Sequence, residues 1–221
     1  MNLRLPVMLS FVLLAFMAAL SAWAWTILPP DAVLPTHWDM HGHVNGTMSK
    51  TWGLSIIPVT GLAITLLLMA VPRIEPRHDN MVASRKPFLA FWLMGLAVLA
   101  AAHAMVVGTA LGYPIDIPGA LIVLIPLSII VSGNYLGKAR PNFFMGVRTP
   151  WTLSSDVSWE KTHRMLGRLF VFSGLIVLAV RFAIGTEAAF LTLAATITAS
   201  AMLAIVSSYI FWKNDPARRT S

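Results

Sequence analysis

An all-α, polytopic membrane bundle of about six transmembrane helices is the fold class that this sequence predicts, and three observations predict it. Of its 221 residues, 57% are hydrophobic and only 11% are charged, against roughly 25% charged in ordinary soluble domains. Mean hydropathy is +0.74, and a chain this short has no core large enough to hide so much apolar surface. The apolar stretches are continuous rather than alternating, as in Leu62-Ala-Ile-Thr-Leu-Leu-Leu-Met-Ala70, which points to helices and away from membrane strands. The absence of cysteine removes disulfide scaffolds, thiol nucleophiles and Cys-ligated metal sites together.

The spans are placed at Leu5–Leu28, Leu54–Val71, Phe88–Leu111, Ile117–Leu136, Leu166–Ile184 and Ala188–Trp212, each near the length of about 20 residues that crosses the hydrocarbon layer. The first has a competing reading, because Arg4, an apolar run and Ala22-Trp-Ala24 resemble a secretory signal with its cleavage site. The length of the run and the interfacial character of Trp23 and Trp25 favour a retained span.

The net charge of +7 is read as topology rather than as affinity for nucleic acid, because the cations fall in alternate connections. Arg73, Arg77, Arg85 and Lys86 lie between spans two and three, and Lys138, Arg140, Arg148, Lys161, Arg164 and Arg168 lie between or just inside spans four and five. Lys213, Arg218 and Arg219 form the tail. The loop after span one holds only Lys50, and Arg181 sits near the far end of span five, where snorkelling with Glu187 as partner would accommodate it. Both termini are therefore expected in the cytoplasm.

Two segments outside the spans carry the unusual chemistry. In the outer loop Pro29–Lys50, prolines impose extension while Gly42 and Asn45-Gly46 suit tight turns, so a folded turn structure is expected. His37, Asp39 and His41, with His103 from the same leaflet, form a candidate zinc-ligand set, and His43 lies beside them. The alternative is a turn whose imidazoles bond backbone or headgroups, and for His103 a structural hydrogen bond between helices, with no cofactor at all. In the inner loop, Thr149-Pro150 imposes extension and Ser154-Ser155-Asp156 offers a helix N-cap, so a short helix leads into span five. Arg148, Trp151, His163 and Arg164 could form a docking surface for a ligand or cytosolic regulator, or Lys161, Arg164 and Arg168 could rest on lipid headgroups.

These residues carry a family resemblance. Leu34-Pro-Thr-His-Trp-Asp39 through Lys50 resembles a small domain of unknown function, often written around Pro-x-His-Trp-Asn, that heads many bacterial membrane proteins. Gly146-Val-Arg-Thr-Pro-Trp-Thr-Leu-Ser154 and Trp159-Glu-Lys-Thr-His-Arg164 resemble the signature of the SdpI family. The resemblance singles out Pro35, His37, Gly42 and Lys50 outside, and Asn142, Gly146, Arg148, Thr149, Trp151, Thr152, Trp159, His163 and Arg164 inside. His41 and His43 lie outside that pattern, and Asp39 stands where it often has Asn, which weakens a metal site built on all the outer groups. It implies an N-terminal two-span region over 1–87 with the His-rich loop, and a four-span region over 88–221 with its signature loop at 137–166.

The function implied is immunity or sensing, the protection of a bacterium from a secreted antimicrobial peptide or toxin, coupled in some members to signalling. Its partners would be the lipid bilayer, a peptide toxin at the outer face and a cytosolic regulator at the inner loop, with no nucleic acid. A membrane metalloenzyme, a protease or lipid hydrolase built on the outer His/Asp loop, ranks second because no span contains an acid to serve as base. A small transporter ranks third, since Pro58 and Pro126 could break helices but no buried carboxylate offers a coupling site. A non-enzymatic role is thus favoured.

Overall fold

A computed structural model describes residues 1–39 and 41–218; Arg219, assigned above to the basic tail, lies outside the described residues. The chain runs α1 (Arg4–Ile27), β1 (Val33–Trp38), β2 (Val44–Ser49), α2 (Lys50–Ile74), α3 (His78–Ala83), α4 (Arg85–Ala110), α5 (Ile117–Leu136), α6 (Pro150–Ser154), α7 (Asp156–Ala183) and α8 (Thr186–Lys213). Among the described residues, α1, α2, α4, α5, α7 and α8 are long and apolar enough to cross a membrane. Each contains the span read from the sequence to within a residue or so, and α2 and α7 extend well beyond their apolar cores.

Local chemistry sets the helix ends. Leu28, before Pro29-Pro30, leaves α1 in extended backbone. The Asp116 carboxylate accepts from Gly119 N–H at 3.0 Å to cap α5, and the Ser155 hydroxyl accepts from Ser158 N–H at 2.9 Å to cap α7. Thr149 is extended, as a residue before proline should be, but Pro150 then opens α6 rather than continuing an extended strand. Thr149 and Thr152 form a reciprocal capping box around it.

The spans make two packed groups. Leu14 and Met17 of α1 and Ala100 of α4 are buried beside α2, while Ile122, Val177 and Ala189 join α5, α7 and α8. Close backbone approach, as well as side-chain packing, joins α5 to α7. A Cβ on Gly133 would stand 2.5 Å from the Gly167 carbonyl oxygen, and one on Gly167 equally close to that of Gly133. Small residues at such a seam let membrane helices pack by dispersion and weak hydrogen bonds without a hydrophobic driving force. Large apolar side chains such as Phe172, Phe182 and Met202 remain exposed on the outside of the bundle, as a lipid-facing surface requires.

The loop after α1 is a two-stranded antiparallel hairpin, pairing Val33 with Ser49 and Trp38 with Val44. The turn glycines were legible, but the strands were not, because Val44-Asn-Gly-Thr-Met-Ser49 lacks the alternation that marks a half-buried strand. The hairpin caps one end of the bundle. The connections α2–α4 and α5–α7 meet at the other.

Candidate functional site: a clasped loop and a roofed cavity

At the loop end, residues 138–149 have little regular structure, and side chains supply what a ladder would. Asn142 is fully buried; its Oδ1 accepts from Phe144 and Met145 N–H at 2.9 and 2.8 Å, and its amide donates to the Arg140 carbonyl. One side of the loop rests on α7. Trp159 Nε1–H donates to the Ala139 carbonyl at 2.8 Å, and the His163 ring stacks on Trp159 with centroids 4.0 Å apart. His163 Nδ1–H donates to the Trp159 carbonyl at 2.8 Å, leaving Nε2 to accept from Val147 N–H at 2.9 Å. That pattern requires one neutral tautomer. His163 is therefore not a member of an open docking surface: it is fully buried with both ring nitrogens engaged. Gly146 lies against it at φ +94°, and a Cβ there would come within 2.1 Å of Nε2.

The other side of the loop is held by residues that the sequence reading passed over. Glu75, buried at the end of α2, accepts from Arg77 N–H at 2.8 Å and from Phe143 N–H at 3.0 Å. Asn80 donates to the Pro141 carbonyl at 2.8 Å, and the Ser84 hydroxyl accepts from Arg140 N–H at 2.8 Å. Arg77 reaches the Leu153 carbonyl at 2.8 Å. The signal was faint: two acids, Glu75 and Asp79, stand among the cations Arg73, Arg77, Arg85 and Lys86, and nothing local sets Glu75 apart.

The remaining inner signature residues close this corner. The Thr152 hydroxyl donates to the Val147 carbonyl at 2.7 Å, and the Thr149 hydroxyl meets that of Ser208 at 3.1 Å. Trp151 packs edge-on to Tyr209 at 5.2 Å. Arg148 is exposed and donates to the Phe143 carbonyl at 2.6 Å, while exposed Arg164 pairs with Glu160 one turn earlier. The tail is tied in by Asp215, which accepts from the Ser155 hydroxyl at 2.6 Å and from Ala217 N–H at 3.0 Å. The Ser155 hydroxyl, followed by the Ala217 amide, holds the Asp215 carboxyl below the usual carboxylate value.

At the hairpin end, Asp39 organises the turn. Its Oδ1 accepts from His41 and His43 N–H at 2.9 Å each, and its Oδ2 lies 3.2 Å from His43 Nδ1. Desolvation alone would raise this carboxyl, but the bonds from His43 and His41 outweigh it and hold it below the usual value. Gly42 turns the tip at φ +88°. His37 bonds the Asn45 side chain and faces Gly46, where a Cβ would meet the His37 Cβ at 2.9 Å. Pro35 pairs with Thr47. Leu34 is buried with Ala24, Leu54, Val106 and Val107 and roots the hairpin in the bundle. Lys50 is buried too, its Nζ donating to the Leu28 carbonyl at 2.6 Å and lying 4.6 Å over the Trp25 ring. It thereby places a cation at the C-terminal end of α1, where the helix dipole favours one.

The candidate zinc ligands are dispersed. His103 is fully buried in α4 with Nε2 2.9 Å from the Ser21 hydroxyl, which itself donates to the Leu54 carbonyl. The tip of the hairpin reaches the start of α8, His41 lying 3.9 Å from Glu187. Among the described residues, no three His, Asp or Glu side chains converge as metal ligands. Arg181 pairs at 4.0 Å with Asp116 rather than with Glu187.

Beneath the hairpin lies a cavity of about 400 Å³, roofed by Thr36 to Asp39 and walled by Ile57, Met105, Leu121 and Phe190. Asp39, Asp116 and Glu187 stand at this end of the molecule, and of the nearby cations Lys50 is buried and Arg181 is paired.

Comparison with known proteins separates these two ends. Residues 138–209, which hold most of the clasped loop with α7 and α8, match the SdpI/YfhL protein family, and a curated relative matches over nearly the whole chain. Over residues 138–209 the chain is similar to the SdpI/YfhL protein family. That relative, the immunity protein SdpI of Bacillus subtilis (strain 168), is 23% identical over 205 residues, covering 91% of this chain and 92% of the relative. Residues 12–62, with the hairpin at their centre, match a domain of unknown function, DUF1648. No solved structure matches. Glu75, Asn80 and Ser84 fall outside both matched segments, although they hold the loop with which the SdpI/YfhL match opens.

Proposed function

We propose that this chain is a membrane immunity protein that protects a bacterium from a secreted antimicrobial peptide or toxin. The observation that carries the reading is the roofed apolar cavity at the hairpin end, with the exposed Glu187 carboxylate at the same end of the molecule. An amphipathic peptide with cationic groups would set its apolar side chains in the cavity and a charge on Glu187. The relative's name, immunity protein, supports the same reading. The hairpin end faces outward from the inner membrane and both termini face the cytoplasm, because the cations gather overwhelmingly at the loop end. There, exposed Phe143, Phe144 and Arg148 offer a surface to a cytosolic regulator.

Orientation is checked with single cysteines, since the chain has none of its own. An impermeant maleimide should label Tyr113→Cys in intact cells and Val157→Cys only after lysis; the reverse would put the hairpin out of a secreted toxin's reach. The binding reading is checked by survival of a sensitive host challenged with the matched toxin. Glu187→Gln should lower the protective threshold about fivefold, as expected for one lost charge contact at an exposed rim. Glu187 is exposed, so immunoblots should show unchanged membrane levels. Undiminished protection would remove this rim from toxin recognition.

A further inference from the structure

We propose that the seam between α5 and α7 at the loop end binds one anionic phospholipid. Two recesses of about 380 and 700 Å³ meet there, sharing Gly137, Lys138 and Arg164. On α7 the wall repeats every turn as Arg164, Arg168 and Phe172, with Val171 beside the last. Residues four apart share a helix face, so two cations stand directly above an apolar surface.

Depth makes the arrangement specific. A hydrocarbon layer of about 30 Å takes about 20 helical residues, and counting back from the end of α7 at Ala183 brings its edge to about Arg164. Arg168 is then a full turn inside that edge, where an unpaired guanidinium is costly unless it snorkels or meets an anion. Arg164 has Glu160, but Lys138, Arg140 and Arg168 have no carboxylate within 4.0 Å among the described residues. Lys138 lies over the Tyr135 ring at 4.9 Å, which places its ammonium at the same seam. A headgroup phosphate between Lys138 and Arg168 would neutralise both, and an acyl chain would continue down Val171 and Phe172. A cytosolic protein could reach the rim but not that lower wall, and a free anion would make no use of it.

The experiment is native mass spectrometry of the full chain, titrated with phosphatidylglycerol or phosphatidylethanolamine of matched chains. One phosphatidylglycerol per chain should be retained with about tenfold preference. Arg168→Gln should weaken its retention about fivefold, and adding Lys138→Gln should weaken it about fivefold again, the effect of one surface cation each. Arg73→Gln, an exposed cation at the same end, should change nothing, and millimolar inorganic phosphate should not displace the lipid. Equal retention of the two lipids, equal losses in the Arg168 and Arg73 variants, or displacement by phosphate would each overturn the proposal. Thermal unfolding in phosphatidylethanolamine alone should be the same for all variants, which separates lost lipid from lost fold.

Discussion

Gly146→Ala should release the signature loop and abolish protection. The substitution meets two obstacles at once. Its φ of +94° is one that side-chain-bearing residues rarely adopt, and the added methyl would overlap Nε2 of the His163 ring, which is fixed by the bond from its Nδ1 to the Trp159 carbonyl. Backbone strain of this kind costs about 1–3 kcal/mol. Displacing His163 would also leave Val147 N–H and the imidazole unpaired at about 1–3 kcal/mol. A cost of several kcal/mol exceeds what one loop can absorb, so the loop rather than the helices should give way. Hydrogen exchange should show lost protection at residues 139–149 with α5 and α7 intact, and host survival under toxin should fall to the level of cells lacking the protein. Retained protection at Val147 N–H would mean that the clasp is not held by His163.

Glu75→Gln should have the next largest effect, through the opposite side of the same loop. The carboxylate accepts two backbone amides through separate oxygens. An amide side chain can serve only one of them and turns a donor toward the other. Leaving a buried N–H opposed by a donor costs about 1–3 kcal/mol, more when the lost acceptor was charged. Loop protection in hydrogen exchange should fall at Phe143 most of all, and the thermal midpoint should drop by several degrees. Glu75→Asp, which keeps the charge but shortens the reach, should recover part of the loss. A silent Glu75→Gln would show that the α2–α4 connection is not a clasp.

How much of this was legible follows from which partners are local. Lipid demands unbroken apolar runs, so hydropathy alone placed the spans, and Ser155 announced the start of α7 because an N-cap acts within three residues. The inner signature could be read as a set, but its chemistry could not. His163 looked like an exposed ligand group until Val147 and Trp159 were seen to occupy both nitrogens. Glu75 carried no pattern, since its decisive partner lies 68 residues further on. Arg181 shows the same limit, having two plausible acids nearby in sequence or space and choosing Asp116. At the hairpin, local rules identified Gly42 as a turn residue but could not show that Asp39 spends both its oxygens inside the turn.

The separation between Glu75 and Phe143 also bears on how the protein is made. A ribosome adds about 5–20 residues per second, so the 68 residues between them take several seconds to appear. During that interval α2 is already made while the Glu75 carboxylate waits without its second amide. His163 arrives later still, and the Asp215 tie to Ser155 is among the last bonds the chain can form. Assembly at this end is therefore ordered by synthesis, and a chain stopped short of Phe143 would leave a partly satisfied acid at the membrane surface as a mark of incompleteness.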